Sequence, residues 1–115
     1  METIIKILPE FKHRAKTIAK KYKSFIKDYN DFVETLKENP IQGTSLGGGV
    51  YKIRLTITSK RKGKSGGARV LTYNVKKINP DKFIVVLMSI YDKSEMENVS
   101  DNYLKDILKE AKRLS

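Results

Sequence analysis

Cysteine is absent from this 115-residue chain. Neither a disulfide framework nor a thiolate zinc site can form without it, and the lack suits a reducing compartment. Histidine occurs once, at His13, so proton shuttling between two histidines is excluded. Set among the lysines of a helical segment, His13 reads as a surface residue. Long apolar runs are missing too. The longest, Phe83 to Tyr91, is about half of what a membrane-spanning helix needs. The opening METIIKILPEFKHR has too short an apolar stretch, and no small-residue site after it, to read as a signal peptide. A soluble, cytoplasmic protein is expected, folded as a single domain over residues 1–115.

The most informative absence is of acid. Residues 41–79 contain no Asp or Glu but nine Lys and Arg, a local charge of +9 out of +11 for the whole chain. Residues 1–40 carry +3 and residues 80–115 carry −1. A solvated surface with no polyanion to meet intersperses the two signs. An unbroken cationic block repels itself, and a polyanion relieves that repulsion. RNA is the expected partner, with a basic solubility patch as the competing explanation.

Periodicity supplies the fold class. Thr3 to Leu8 reads as a short strand ended by Pro9, which suits a first helical turn. Phe11, Ala15, Ile18, Ala19 and Tyr22 recur at spacings of three and four, one apolar helix face. Ser24 is expected to cap a second helix whose stripe is Phe25, Ile26, Tyr29, Phe32, Val33 and Leu36. Asn39-Pro40 ends it. Gly43 and Gly47-Gly48-Gly49 read as a loop. From Val50 the period is two: Tyr51, Ile53, Leu55 and Ile57 alternate with Lys52, Arg54, Thr56 and Thr58. A Gly/Lys-rich connection, a strand over Ala68–Ile78 and a turn at Asn79-Pro80-Asp81 follow. Phe83 to Tyr91 reads as a central strand covered on both faces. The last helix is capped by Ser100, with Leu104, Ile107, Leu108, Ala111 and Leu114 as its stripe. The expectation is an α+β fold in the order β-α-α-β-β-β-α, a mostly antiparallel sheet packed against a helix hairpin.

Several chemistries fall away. A phosphate-binding loop around Gly63-Lys64-Ser65 would need glycine where Thr58 stands, and a helix where a strand follows. No cofactor or metal is called for: the central block has no carboxylates, and Asp92, Glu95 and Glu97 could hold a metal only weakly. Chemistry would fall to Lys, Arg, Tyr and backbone groups. In RNA the 2′-hydroxyl is the nucleophile. Attack on the adjacent phosphate needs a base, an acid and a stabiliser of the pentacoordinate charge. Lysine is a poor base unless crowded by other cations, as Lys60, Arg61, Lys62 and Lys64 could be. Arginine can hold a phosphate through two bonds.

Arg69 stands out, because it follows a double glycine and strand alternation puts it on the same face as the apolar set Leu71, Tyr73 and Val75. It needs an anionic partner, either substrate phosphate or an acid such as Asp92 or Glu95. Lys64 is a candidate phosphate binder or base. Lys93 is expected at the same sheet end as the Gly/Lys-rich loop. Tyr91 could stack on a base, donate a proton or simply pack in the core. Lys52 and Arg54 would track backbone phosphates. Lys60, Arg61 and Lys62 would attract RNA generally.

In order after a helix hairpin, LGGGVYKIRL, GKSGGARVLTY and FIVVLMSIYDKSE resemble the RelE/HigB superfamily of type II toxins, most of all its HigB-like branch. The similarity runs over nearly the whole chain. It implies a RelE-like fold and an endoribonuclease, or mRNA interferase, that cleaves mRNA in the ribosomal A site and so inhibits translation. It also implies a cognate antitoxin, through which any DNA contact would be indirect, and a basic catalytic residue near Lys93. It does not name the base. A non-catalytic RNA- or ribosome-binding protein that represses translation by occupancy is the alternative.

Overall fold

The computed structural model describes residues 2–60, 66–77 and 81–115. Strand β1 (Glu2–Ile7) leads into helices α1 (Pro9–Lys21) and α2 (Phe25–Glu38). Four strands follow: β2 (Thr44–Gly47), β3 (Val50–Leu55), β4 (Ala68–Lys77) and β5 (Lys82–Asp92). Helix α3 (Asp101–Leu114) closes the chain. Residues 79 and 80 of the expected turn, and the end of its strand at Ile78, lie outside the described residues. No described helix is long and apolar enough to cross a membrane.

The five strands form one sheet in the order β1-β5-β4-β3-β2. β5 pairs parallel with β1 and antiparallel with β4, and the β4–β3 and β3–β2 pairings are antiparallel. The sheet is therefore α+β and mostly antiparallel, as the strand patterning indicated. Strand β2 is an addition. Thr44 to Gly47 is exposed throughout, so no burial alternation marks it. Only its pairing with β3, Thr44 to Lys52 and Ser45 to Tyr51, makes it a strand.

Each sheet face has its own core. Phe11 and Ile18 of α1 and Phe25, Phe32 and Leu36 of α2 pack on Ile53, Leu55, Val70, Val85, Leu87 and Ile90. On the opposite face, Ile107 and Ala111 of α3 pack with Val50, Leu71, Ile84, Val86, Met88 and Tyr91. Sandwiching explains why β5 is apolar without alternation: nearly every residue of it is buried. Each fully buried large apolar side chain, such as Leu36, contributes about 1.5–3 kcal/mol.

Two local expectations are corrected. Ser24 occupies the cap position of α2 in a helical conformation and makes no side-chain cap bond. Its hydroxyl instead donates to Asp28 Oδ2 at 2.7 Å and bonds Ser59. Ile26 does not join the buried stripe. It sits one residue round from Phe25 on the helix and is 60% exposed. Ser100 does cap α3, accepting from the Tyr103 N–H at 3.1 Å.

Candidate nucleic-acid interface

The alternation of β3 sends Tyr51, Ile53 and Leu55 toward α1 and α2. Val50, Lys52 and Arg54 then face the other side, where α3 packs on β5 and β4. Arg54 stays exposed and Lys52 is half-buried. Lys52 Nζ reaches Asn98 Oδ1 at 3.2 Å.

Register turns these side chains into a row. Arg54 pairs with Arg69 across β3 and β4, and Arg69 with Tyr91 across β4 and β5. Directly opposed residues stand with Cβ atoms roughly 5 Å apart, and like charges there repel. Among the described residues neither arginine is in an ion pair. The acids proposed for Arg69 are engaged elsewhere: Asp92 with Lys60 and Glu95 with Lys21. Among the described residues the Arg69 side chain makes one hydrogen bond, from Nη1 to the Ala68 carbonyl at 3.3 Å.

Tyr91 is 2% exposed and belongs to the core under α3. Its hydroxyl donates to the Glu97 carbonyl at 3.4 Å. Burial pushes the phenol pKa up, and the nearby Arg69 charge offsets part of that. Lys93 lies at the sheet end from which the loop departs, as expected: its N–H donates to the Gly67 carbonyl at 3.2 Å. Its ammonium is 3.7 Å from Glu97 Oε1. Arg61, Lys62 and Lys64 lie outside the described residues.

Lys60 is not placed with the cations that face solvent. Its side chain is 11% exposed, and its ammonium lies 2.6 Å from Asp92 Oδ1 and 5.2 Å from the Tyr22 ring centre. Asp92 collects further donors: Tyr22 Oη at 2.7 Å, and Ser94 N–H and Oγ at 2.9 and 2.7 Å. Burial alone would raise its pKa. The bonds from Lys60, Tyr22 and Ser94 outweigh burial and hold the carboxyl well below the usual carboxylate range. A second carboxylate, Asp28 of α2, accepts from the Thr58 N–H at 2.9 Å and hydroxyl at 3.1 Å. Sequence reasoning missed both anchors. An aspartate ending an apolar strand is visible in the chain, but its partner is not.

No group of three or more His, Asp or Glu among the described residues converges as a metal site. The cationic row can do two things chemically. It can bind phosphate through Lys52, Arg54 and Arg69, and it can place a guanidinium beside a phosphate undergoing attack. Compared with known families, residues 10–115 match the model of the RelE toxin of the RelE / RelB toxin-antitoxin system.

Proposed function

Since the chain belongs to the RelE toxin family, we propose that it is a metal-independent endoribonuclease that cuts mRNA on the ribosome in the cytoplasm. The observation that carries this reading is the opposed couple Arg54 and Arg69, neither in an ion pair among the described residues, at the edge of the sheet face on which α3 packs. A phosphate diester there would relieve their repulsion and receive both guanidiniums. The 2′-oxygen attacks the adjacent phosphorus while a base takes its proton. The 5′-oxygen leaves with a proton from an acid, and a 2′,3′-cyclic phosphate remains. Arg69 stabilises the charge on the pentacoordinate phosphorus. Lys64 and Lys93 are the candidates for proton transfer. Tyr91, with its hydroxyl in the core, acts only if that packing opens. Lys52, Arg54, Arg61 and Lys62 hold the RNA backbone.

Producing the protein without its antitoxin should arrest growth and yield discrete cuts in translated mRNA by primer extension. Arg69→Ala should abolish both, and undiminished toxicity of that variant would overturn the assignment. One observation favours the alternative, repression by occupancy. Of the candidates for proton transfer that lie among the described residues, Tyr91 is buried and Lys93 is paired with Glu97. Arrest without cuts would establish that alternative.

Family membership implies an antitoxin partner. Two surfaces suit one. The basic face would take acidic side chains, with affinity falling as salt rises. The groove of about 240 Å³ between α1 and α2, floored by Phe11, Ala15, Ala19 and Ile26, would take an amphipathic helix with little salt dependence.

A further inference from the structure

Asp92 does more than end a strand. It is buried, with a side chain 2% exposed, and lies where three parts of the chain meet. Lys60 comes from the stem of the β3–β4 connection, Tyr22 from the α1–α2 joint, and Ser94 from the turn after β5. Lys60 Nζ also donates to the Gly67 carbonyl at 3.3 Å. That same carbonyl accepts the Lys93 N–H. One ammonium thus ties both stems of the connection, at residues 60 and 67, to the end of β5. Lys93 and Arg69 flank this knot, one residue after Asp92 and two residues after Gly67. Burying a carboxylate and an ammonium together costs desolvation, and the pair does not simply add stability. What it supplies is geometry.

We propose that Asp92 is a positioning residue: acting through Lys60, it holds the stems of the β3–β4 connection against β5 and so sets where Arg69 and Lys93 stand toward the RNA. Lys60 is then a strut and not a collector of RNA. The proposal rests on the RNA-cleavage reading for its consequence, but the positioning itself is measurable without cleavage.

The test uses the full chain with Asp92→Asn, Lys60→Met and the double variant, each checked for folding by circular dichroism. Three readouts are taken. These are amide hydrogen exchange at Lys93, affinity for a single-stranded RNA oligonucleotide, and single-turnover cleavage on programmed ribosomes. D92N should exchange the Lys93 amide at least tenfold faster and cleave at least tenfold slower. It should bind the oligonucleotide as well as wild type or better, because a negative charge is removed. The double variant should be no worse than the worse single variant, since each single variant already loses the shared Lys60–Asp92 pair.

Wild-type exchange and wild-type cleavage in D92N would overturn the proposal, as would losses that multiply in the double variant. Equal loss of RNA binding and cleavage would also overturn it, by showing a general collapse of the face. If D92N does not fold, K60M decides by the same measures, because it breaks the contact from the loop side. If wild type cuts nothing, the cleavage reading fails, and the Lys93 exchange rate still decides whether Asp92 positions the loop.

Discussion

Gly67 joins the basic connection to β4, and replacing it with alanine offers a quantitative check on the loop geometry. Its φ is +84°, a region that costs a residue with a side chain about 1–2 kcal/mol. Space is the second cost. A Cβ there would lie 2.6 Å from the Leu55 carbonyl oxygen, so the ends of β3 and β4 must separate. Leu55 pairs with Ala68 at that point, and losing one such hydrogen bond costs about 1 kcal/mol. The sum is roughly 3 kcal/mol, a large share of the 5–15 kcal/mol that holds a typical domain together. In a chain of this size that lowers Tm by roughly 15 °C. Gly48 supplies the control. Its φ is +61°, but nothing lies within 4 Å of an added Cβ. Gly48→Ala should therefore cost only the backbone component, about 1 kcal/mol or roughly 5 °C. Urea and thermal unfolding of both variants measure the contrast. If G48A costs as much as G67A, or if G67A stays within 1 kcal/mol of wild type, the close-approach argument is wrong.

Three further outcomes are expected. Arg54→Ala should weaken binding to single-stranded RNA and reduce the slope of log affinity against log salt by about 0.7, the loss of one phosphate contact; an unchanged slope in a salt titration would remove Arg54 from the interface. Tyr103→Phe should cost about 1–3 kcal/mol in urea unfolding, because the Tyr103 hydroxyl bonds both the fully buried Ser89, at 2.6 Å, and Glu10, and its loss leaves a buried polar group unpaired. The folded-state pKa of Asp92 is depressed, so its contribution to stability is present above the ordinary carboxylate pKa of about 3.9 and is lost as pH falls through the folded value. The stability gap between wild type and D92N should then be widest near neutral pH and shrink below about pH 4; a gap that widens in acid would contradict the sign.

The helices and the long strands were legible because their patterns are local. Phe11, Ile18 and Tyr22 mark α1 by spacing alone, and the unbroken apolar run of β5 announces cover on both faces. Strand β2 was not legible, since Thr44 to Gly47 buries nothing and is a strand only through its partner. Ser24 illustrates the same limit in miniature. A serine before a helical stripe is a good cap by propensity, but a nearby carboxylate and Ser59 compete for its hydroxyl, and they win.

The candidate site divides along this line. Sequence by itself determined that Lys52, Arg54 and Arg69 lie on alternating strands within an acid-free block, because strand period and composition are properties of the chain. Register decided that Arg54 and Arg69 stand opposite each other with Tyr91 beside them. Three-dimensional packing decided which lysine is held by a buried carboxylate. Lys60 looks in the chain like Lys52, one cation among many, yet folding brings it from the loop stem onto Asp92 at the end of β5. A charge's worth depends on the nearest opposite charge and on how much water lies between. Both are set by contacts between residues far apart in sequence, and only the tertiary structure brings those residues together.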